Sequence, residues 1–138
     1  MERKEKIINK IQNNKLNTMK YFSAAISLQV ILNNALFKNE KYSIKELKKL
    51  FSEHCKSKHE ILENFGSFYI KFIFDENNDT ENLYIRLDNN MDFHNTESIT
   101  ADELKTVLKN RIYRLISDIK KCNTELFKLD KKYLIREV

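Results

Sequence analysis

Cys55 and His59 stand four residues apart with His54 beside them, a spacing that puts two donors on one face of a helix. A structural zinc site needs four ligands. The remaining donors, His94 and Cys122, have no spacing that would complete the set, so no metal is assigned and the histidines read as surface residues. The two cysteines form no C-x-x-C pair, and in a reducing compartment they read as free buried thiols.

Catalytic patterns are missing. There is no G-x-S-x-G, no P-loop and no G-x-G-x-x-G, and the single glycine, Gly66, cannot build a phosphate-cradling loop. Carboxylates are plentiful but gather in a polar loop, where solvation keeps them ionised instead of tuned for proton transfer. The expectation is a protein that is not an enzyme and takes no cofactor.

Charge is the stronger signal. The chain carries +5 overall, yet the segment from Asp75 to Glu103 holds nine acids against one base, Arg86, a net −8 that leaves +13 on the remainder. Asp75, Glu76, Asp79 and Glu81 crowd a loop with no apolar residue, and Asp88 and Asp92 extend the patch. Such a loop would suit a basic groove on a protein or nucleoprotein partner, where complementary charge speeds association and sets specificity. The plain alternative is a solvated loop, which is what most charge runs are. A chain built only to hold nucleic acid would not put its acids there, because phosphate repels them.

The elements that position these residues can be read from periodicity. Phe65 to Leu87 reads as one β-hairpin: Phe68, Ile70, Phe72 and Phe74, with Leu83, Ile85 and Leu87, alternate onto one apolar face. Two strands alone are marginal, so helices must cover that face. The open face carries Tyr69, Lys71, Ile73, Tyr84, Arg86 and Asp88. There Tyr69 and Tyr84 could stack bases while Lys71 and Arg86 hold phosphate, though such cross-strand pairs are ordinary on solvated sheet faces.

Residues 2 to about 38 read as helical, with Asn13, Asn14 and Asn17 marking a kink. From Tyr21 to Phe37 the pattern is apolar nearly all round, which predicts a helix buried on most sides beneath the hairpin. Ser43-Ile44-Lys45-Glu46 is a capping box that opens a second helix with Leu47, Leu50 and Phe51 inside. A turn at Lys56-Ser57-Lys58 leads to a short helix through His59, Ile61 and Leu62. After Leu87 a polar connector tucks Met91 and Phe93 against the core, and with no proline the turns fall to Asn77-Asn78 and Asn89-Asn90.

Thr100-Ala101-Asp102-Glu103 is a second capping box. Beyond it Leu108, Ile112, Leu115, Ile119, Cys122, Leu126, Leu129 and Tyr133 keep four-three spacing, a heptad seam that must meet either the N-terminal helix or a second copy of the chain. No apolar run approaches the ~20 residues of a membrane helix, and the charged start MERKEKIINK lacks a signal-peptide core. A cytoplasmic, non-membrane protein of one domain over residues 1–138 is expected.

The order helix, helix, short helix, hairpin, helix over Lys41 to Leu87 resembles the winged helix-turn-helix family. KYSIKELKKLF is similar to its first helix, KSKHEILENFG to its recognition helix and the hairpin to its wing. The resemblance implies a DNA-binding regulator, dimerised by the Leu108 to Tyr133 seam, with Lys56, Ser57, Lys58 and His59 facing the major groove and the basic N-terminal helix adding to the contact; Lys71 and Arg86 of the open sheet face are the further nucleic-acid candidates. In style, a small lysine- and asparagine-rich chain with an acidic hairpin and one long helix also resembles phage or mobile-element inhibitors of host defence such as anti-CRISPR proteins. That resemblance implies steric or charge-based blocking of a basic nucleic-acid-handling complex. The fold class expected is α+β, mostly α: a hairpin packed on helices in winged-helix-like order, with long N- and C-terminal helices and a C-terminal heptad seam. The function expected first is the inhibitor, and the regulator is the alternative.

Overall fold

The computed structural model describes the backbone of residues 2–89 and 97–137, and the side chains of 5–89 and 97–125. Two long helices dominate: α1, Glu2–Asn34, and α3, Ala101–Glu137. At 1.5 Å per residue they reach ~50 and ~55 Å. They run antiparallel. Asn14 Nδ2 donates to Glu125 Oε2 at 3.2 Å, and Tyr21 lies beside Asp118 and Cys122, whose proximity adds to burial in raising its phenol pKa. The sheet and a short helix sit on one side of the end of this pair.

Between the long helices the chain runs through β1, Lys41–Tyr42; α2, Ile44–His54; β2, His59–Asn64; β3, Ser67–Phe72; β4, Leu83–Arg86; and β5, Ile99–Thr100. β1 pairs with β5, tying the start of α2 to the start of α3. The main sheet is antiparallel in the order β2-β3-β4. Both capping boxes form at their N-cap. Ser43 Oγ accepts from the Glu46 N–H at 3.4 Å, and Thr100 Oγ1 accepts from the Glu103 N–H at 3.2 Å.

The alternating face works as the sequence implies over β3 and β4. Phe68, Ile70, Phe72, Ile85 and Leu87 are buried against Leu28 and Ile31 of α1, Leu47 and Phe51 of α2, and Leu104 and Leu108 of α3. Phe74 departs from it. It lies past the end of β3, is exposed, and has the Lys20 ammonium 5.8 Å from its ring centroid. The expected kink at Asn13 to Asn17 does not break α1, which is a single element. Nor is α1 buried on most sides: Ala24, Ala25, Leu28 and Ile31 are inside, but Met19, Phe22 and Ile26 are exposed.

The expected short helix through His59 and Leu62 is strand β2, whose Ile61 pairs with Ile70 and whose Asn64 pairs with Ser67. Only Ile61 of this strand is buried, so its sequence carries no alternation of two apolar faces, and its structure comes from pairing along β3. The turn is Phe65-Gly66, with φ of 51° and 76°. Positive φ at both central positions suits the twist of a two-residue hairpin. Among the described residues, left-handed backbone therefore falls on Phe65, Gly66 and Phe37 (φ 46°), not on Asn77, Asn78 or Asn89; Asn90 lies outside the described residues.

The first part of the heptad seam is filled from within the chain. Leu108, Ile112 and Leu115 are buried in the core with α1, and Ile119 and Cys122 are half-buried beside it. At Leu108, Ile112 and Leu115 the seam meets the chain's own core, the N-terminal helix included. The side chains of Leu126, Leu129 and Tyr133 lie outside those described, as do Met91, Asp92 and Phe93.

Candidate functional site

The loop between β3 and β4 was expected to present free negative charge. Its backbone is shaped by amides in place of glycine. Asn82 Oδ1 accepts from the N–H groups of Phe74 (2.8 Å) and Asp75 (3.0 Å), Asn78 Oδ1 accepts from the Thr80 N–H and hydroxyl, and Asp75 Oδ1 accepts from the Asn77 N–H. Asp79–Glu81 forms a single 3-10 turn. These bonds hold the carboxylates in fixed directions.

The directions lead back to the same molecule. Lys71 Nζ is 2.8 Å from Asp79 Oδ1, and the Tyr84 hydroxyl lies 2.8 Å from both oxygens of that carboxylate. Lys71, then Tyr84 and Asn82, hold the Asp79 carboxyl at a pKa of about 2. In turn Asp79 raises the Lys71 ammonium. Lys20 of α1 pairs with Glu81, and Lys58, from the turn before β2, pairs with Glu76.

Asp88 is not a surface residue at all. It is 1% exposed, accepts from the Phe68 N–H at 2.7 Å, and has Arg86 Nε and Nη2 each 3.0 Å from Oδ1. Arg111 of α3 donates from Nε to the Arg86 carbonyl at 2.9 Å, clamping the hairpin to the helix. Burial, with Arg114 and Arg86 nearby, lowers the Arg111 pKa. Asp88 therefore closes the sheet, and Asp92 lies outside the described residues.

Three of the nucleic-acid candidates are taken up by the same pairs. Lys58, Lys71 and Arg86 are the cations that meet Glu76, Asp79 and Asp88. His59 Nδ1 is 2.8 Å from the Ser57 carbonyl, to which the Cys55 thiol also donates at 3.6 Å, and Cys55 is the main cause of a raised His59 pKa. Lys56 is exposed, in the turn after α2. With His59 starting a strand, the segment that resembles a recognition helix contains no helix to enter a major groove. No group of three or more His, Cys, Asp or Glu able to hold a metal occurs among the described residues.

What sequence reasoning missed is apolar. Phe22 (57% exposed) and Ile26 (48%) project from α1, and Tyr113 (72%) and Ile116 (39%) from α3. The signal was present: after Lys20 no charge occurs until Lys38, in a chain one-third charged. Burial on most sides was expected to account for that run, and half of the helix is not buried. Leu16 and Met19 also border an open groove of about 610 Å³ against Phe74 and Glu81 of the loop. No helix among the described residues is long and apolar enough to cross a membrane.

No family model, curated protein or solved structure matches this chain.

Proposed function

We propose that this is a small binding protein that acts by contact and not by chemistry, through the exposed apolar side of α1. The observation that carries the reading is the exposure of Met19, Phe22 and Ile26 at three-four spacing along one side of α1, the last two within an uncharged run. Scattered apolar residues are normal on any surface, but a contiguous apolar patch on a charged protein marks an interaction site. An inhibitor of a host complex, of the kind the chain resembles in style, belongs to this class and would block by occupying a surface.

The acidic loop supports such blocking less well. A basic groove would have to displace Lys20, Lys58 and Lys71 from carboxylates they already meet. Exposed pairs are weak enough to exchange, but exchange of one lysine for another yields little net attraction. The DNA-binding regulator has the same difficulty with its cations.

Affinity capture from host cells separates these readings. A Phe22→Asp/Ile26→Asp variant should lose the partners that the wild type retains, whereas Glu76→Gln/Asp79→Asn/Glu81→Gln should keep them. The opposite pattern would reject the helix face and restore the acidic loop. Salt-sensitive binding of mixed duplex DNA, dependent on Lys56, would favour the regulator.

A further inference from the structure

The outer side of β2 is an unpaired strand edge. The main sheet runs β2-β3-β4, so β3 lies on one side of β2 and no strand of the sheet on the other. The ladder fixes which backbone groups point where. The Ile73 N–H donates to the Lys58 carbonyl at 3.0 Å, which makes those two a hydrogen-bonded pair, and bonded and non-bonded pairs alternate along antiparallel strands. In this register Glu60 with Lys71, Leu62 with Tyr69 and Asn64 with Ser67 are the other bonded pairs. The N–H and C=O groups of His59, Ile61 and Glu63 therefore point the opposite way, out of the sheet. Nothing hydrogen-bonds them among the described residues. The Ile61 side chain faces the core beside Ile70, and its backbone groups lie at the rim in the plane of the sheet.

The opposite edge is closed. The Leu87 N–H bonds the Phe68 carbonyl, so Arg86 turns its own carbonyl outward, and Arg111 Nε of α3 donates to it at 2.9 Å. An edge left open takes up further strands unless its side chains oppose them. The side chains of β2 select among such strands. Glu60 and Glu63 are exposed, stand on opposite faces of the strand, and have no ion-pair partner among the described residues. Lys71, which lies across from Glu60, is engaged by Asp79. These carboxylates repel an acidic strand, and a purely apolar one would take their water and offer nothing in return.

We infer that the outer edge of β2 is a docking site for an extended segment of a partner protein that carries Lys or Arg at positions i and i+3 with apolar residues between them. Antiparallel addition would exchange main-chain bonds with His59, Ile61 and Glu63 and set one cation across from Glu63 and the other across from Glu60, one on each face. An apolar residue would then lie beside Leu62, which is half-buried on the open face. Main-chain bonds supply affinity for any extended chain, and the carboxylates choose which one. Nucleic acid does not fit, because the edge offers carboxylates where phosphate would lie. The site is separate from the apolar side of α1 and independent of the contact reading drawn from it.

The test uses the full chain and two threonine-rich peptides of about eight residues, a strand's length. One has a central Lys-Val-Val-Lys and the other Glu-Val-Val-Glu. By fluorescence anisotropy the lysine peptide should bind at least about tenfold more tightly. In the antiparallel register the N–H groups of its first lysine and second valine face β2, and those of its first valine and second lysine face away. N-methylation of the first set should weaken binding by at least about tenfold, and of the second set by less than about twofold. Glu60→Lys/Glu63→Lys should invert the preference toward the glutamate peptide, a readout that lost structure cannot produce. Phe22→Asp/Ile26→Asp should leave binding unchanged. All these positions are exposed, and circular dichroism verifies that each variant is folded.

Equal binding of the two peptides, or none, overturns the inference. So does an equal loss from the two methylation sets, since the contact would then not be strand pairing. Light scattering that shows a dimer broken by Glu63→Lys overturns it as well, because a second copy would be the occupant. Loss of the lysine peptide from the folded Phe22→Asp/Ile26→Asp variant would put the peptide on α1, which overturns the strand edge and leaves the contact reading in place.

Discussion

Lys71 Nζ lies 2.8 Å from Asp79 Oδ1, so the cation expected to hold nucleic acid neutralises the carboxylate expected to engage a basic partner. The same holds for Lys58 with Glu76 and Arg86 with Asp88. Two candidate sites of opposite sign are thereby one internal network. A charge run in sequence is a surface only if its counter-charges lie elsewhere, and here strand pairing brings them together.

The network has a pH signature at Asp79. Its folded pKa is about 2, lowered from 3.8. A depressed carboxyl contributes stability that is complete above its unfolded pKa and lost as pH falls through the folded one, so this contribution fades between about pH 4 and 2. Carboxyl-carbon NMR titration should place the Asp79 midpoint near 2. Lys71→Ala should move it upward, toward the ordinary range; an unmoved midpoint would mean that Lys71 is not its principal partner.

Asp88 should matter more to folding than any tip acid. Replacing it by Ala removes the acceptor of the Phe68 N–H and leaves Arg86 without its carboxylate at a site 1% exposed. Breaking a buried pair from one side costs roughly 3–5 kcal/mol. Urea denaturation should register that loss for Asp88→Ala, and a change under 1 kcal/mol would show that water replaces the carboxylate.

Phe65 holds left-handed backbone in the turn between β2 and β3 and is 88% exposed, so it is disfavoured by φ and by hydration together. Phe65→Asn creates Asn-Gly, the preferred pair for this turn. The variant should be more stable by about 0.5–1 kcal/mol. Thermal unfolding that shows destabilisation instead would reveal packing of this ring.

Leu115 tests whether the seam is internal. It is buried in the core shared by α1 and α3. Leu115→Ala should cost ~2–5 kcal/mol, with a Tm that does not vary with protein concentration. A Tm that rises with concentration would show that a second copy completes the seam.

Much of the fold was legible because it is local. The buried alternation of Phe68, Ile70 and Phe72 follows from the pleat, the caps at Ser43 and Thr100 from a three-residue spacing, and the Leu108 to Leu115 seam from the heptad. Each depends on near neighbours, whose geometry the chain sets wherever it forms that element. Strand β2, the partner of the seam, the fate of the acids and the exposure of Phe22 were decided by tertiary structure. Lys20 meets Glu81 across 61 positions, and Phe22 is exposed because the sheet covers the other side of α1. Charge pairing and burial depend on distance in space, and only the packed chain determines which distant residues become neighbours.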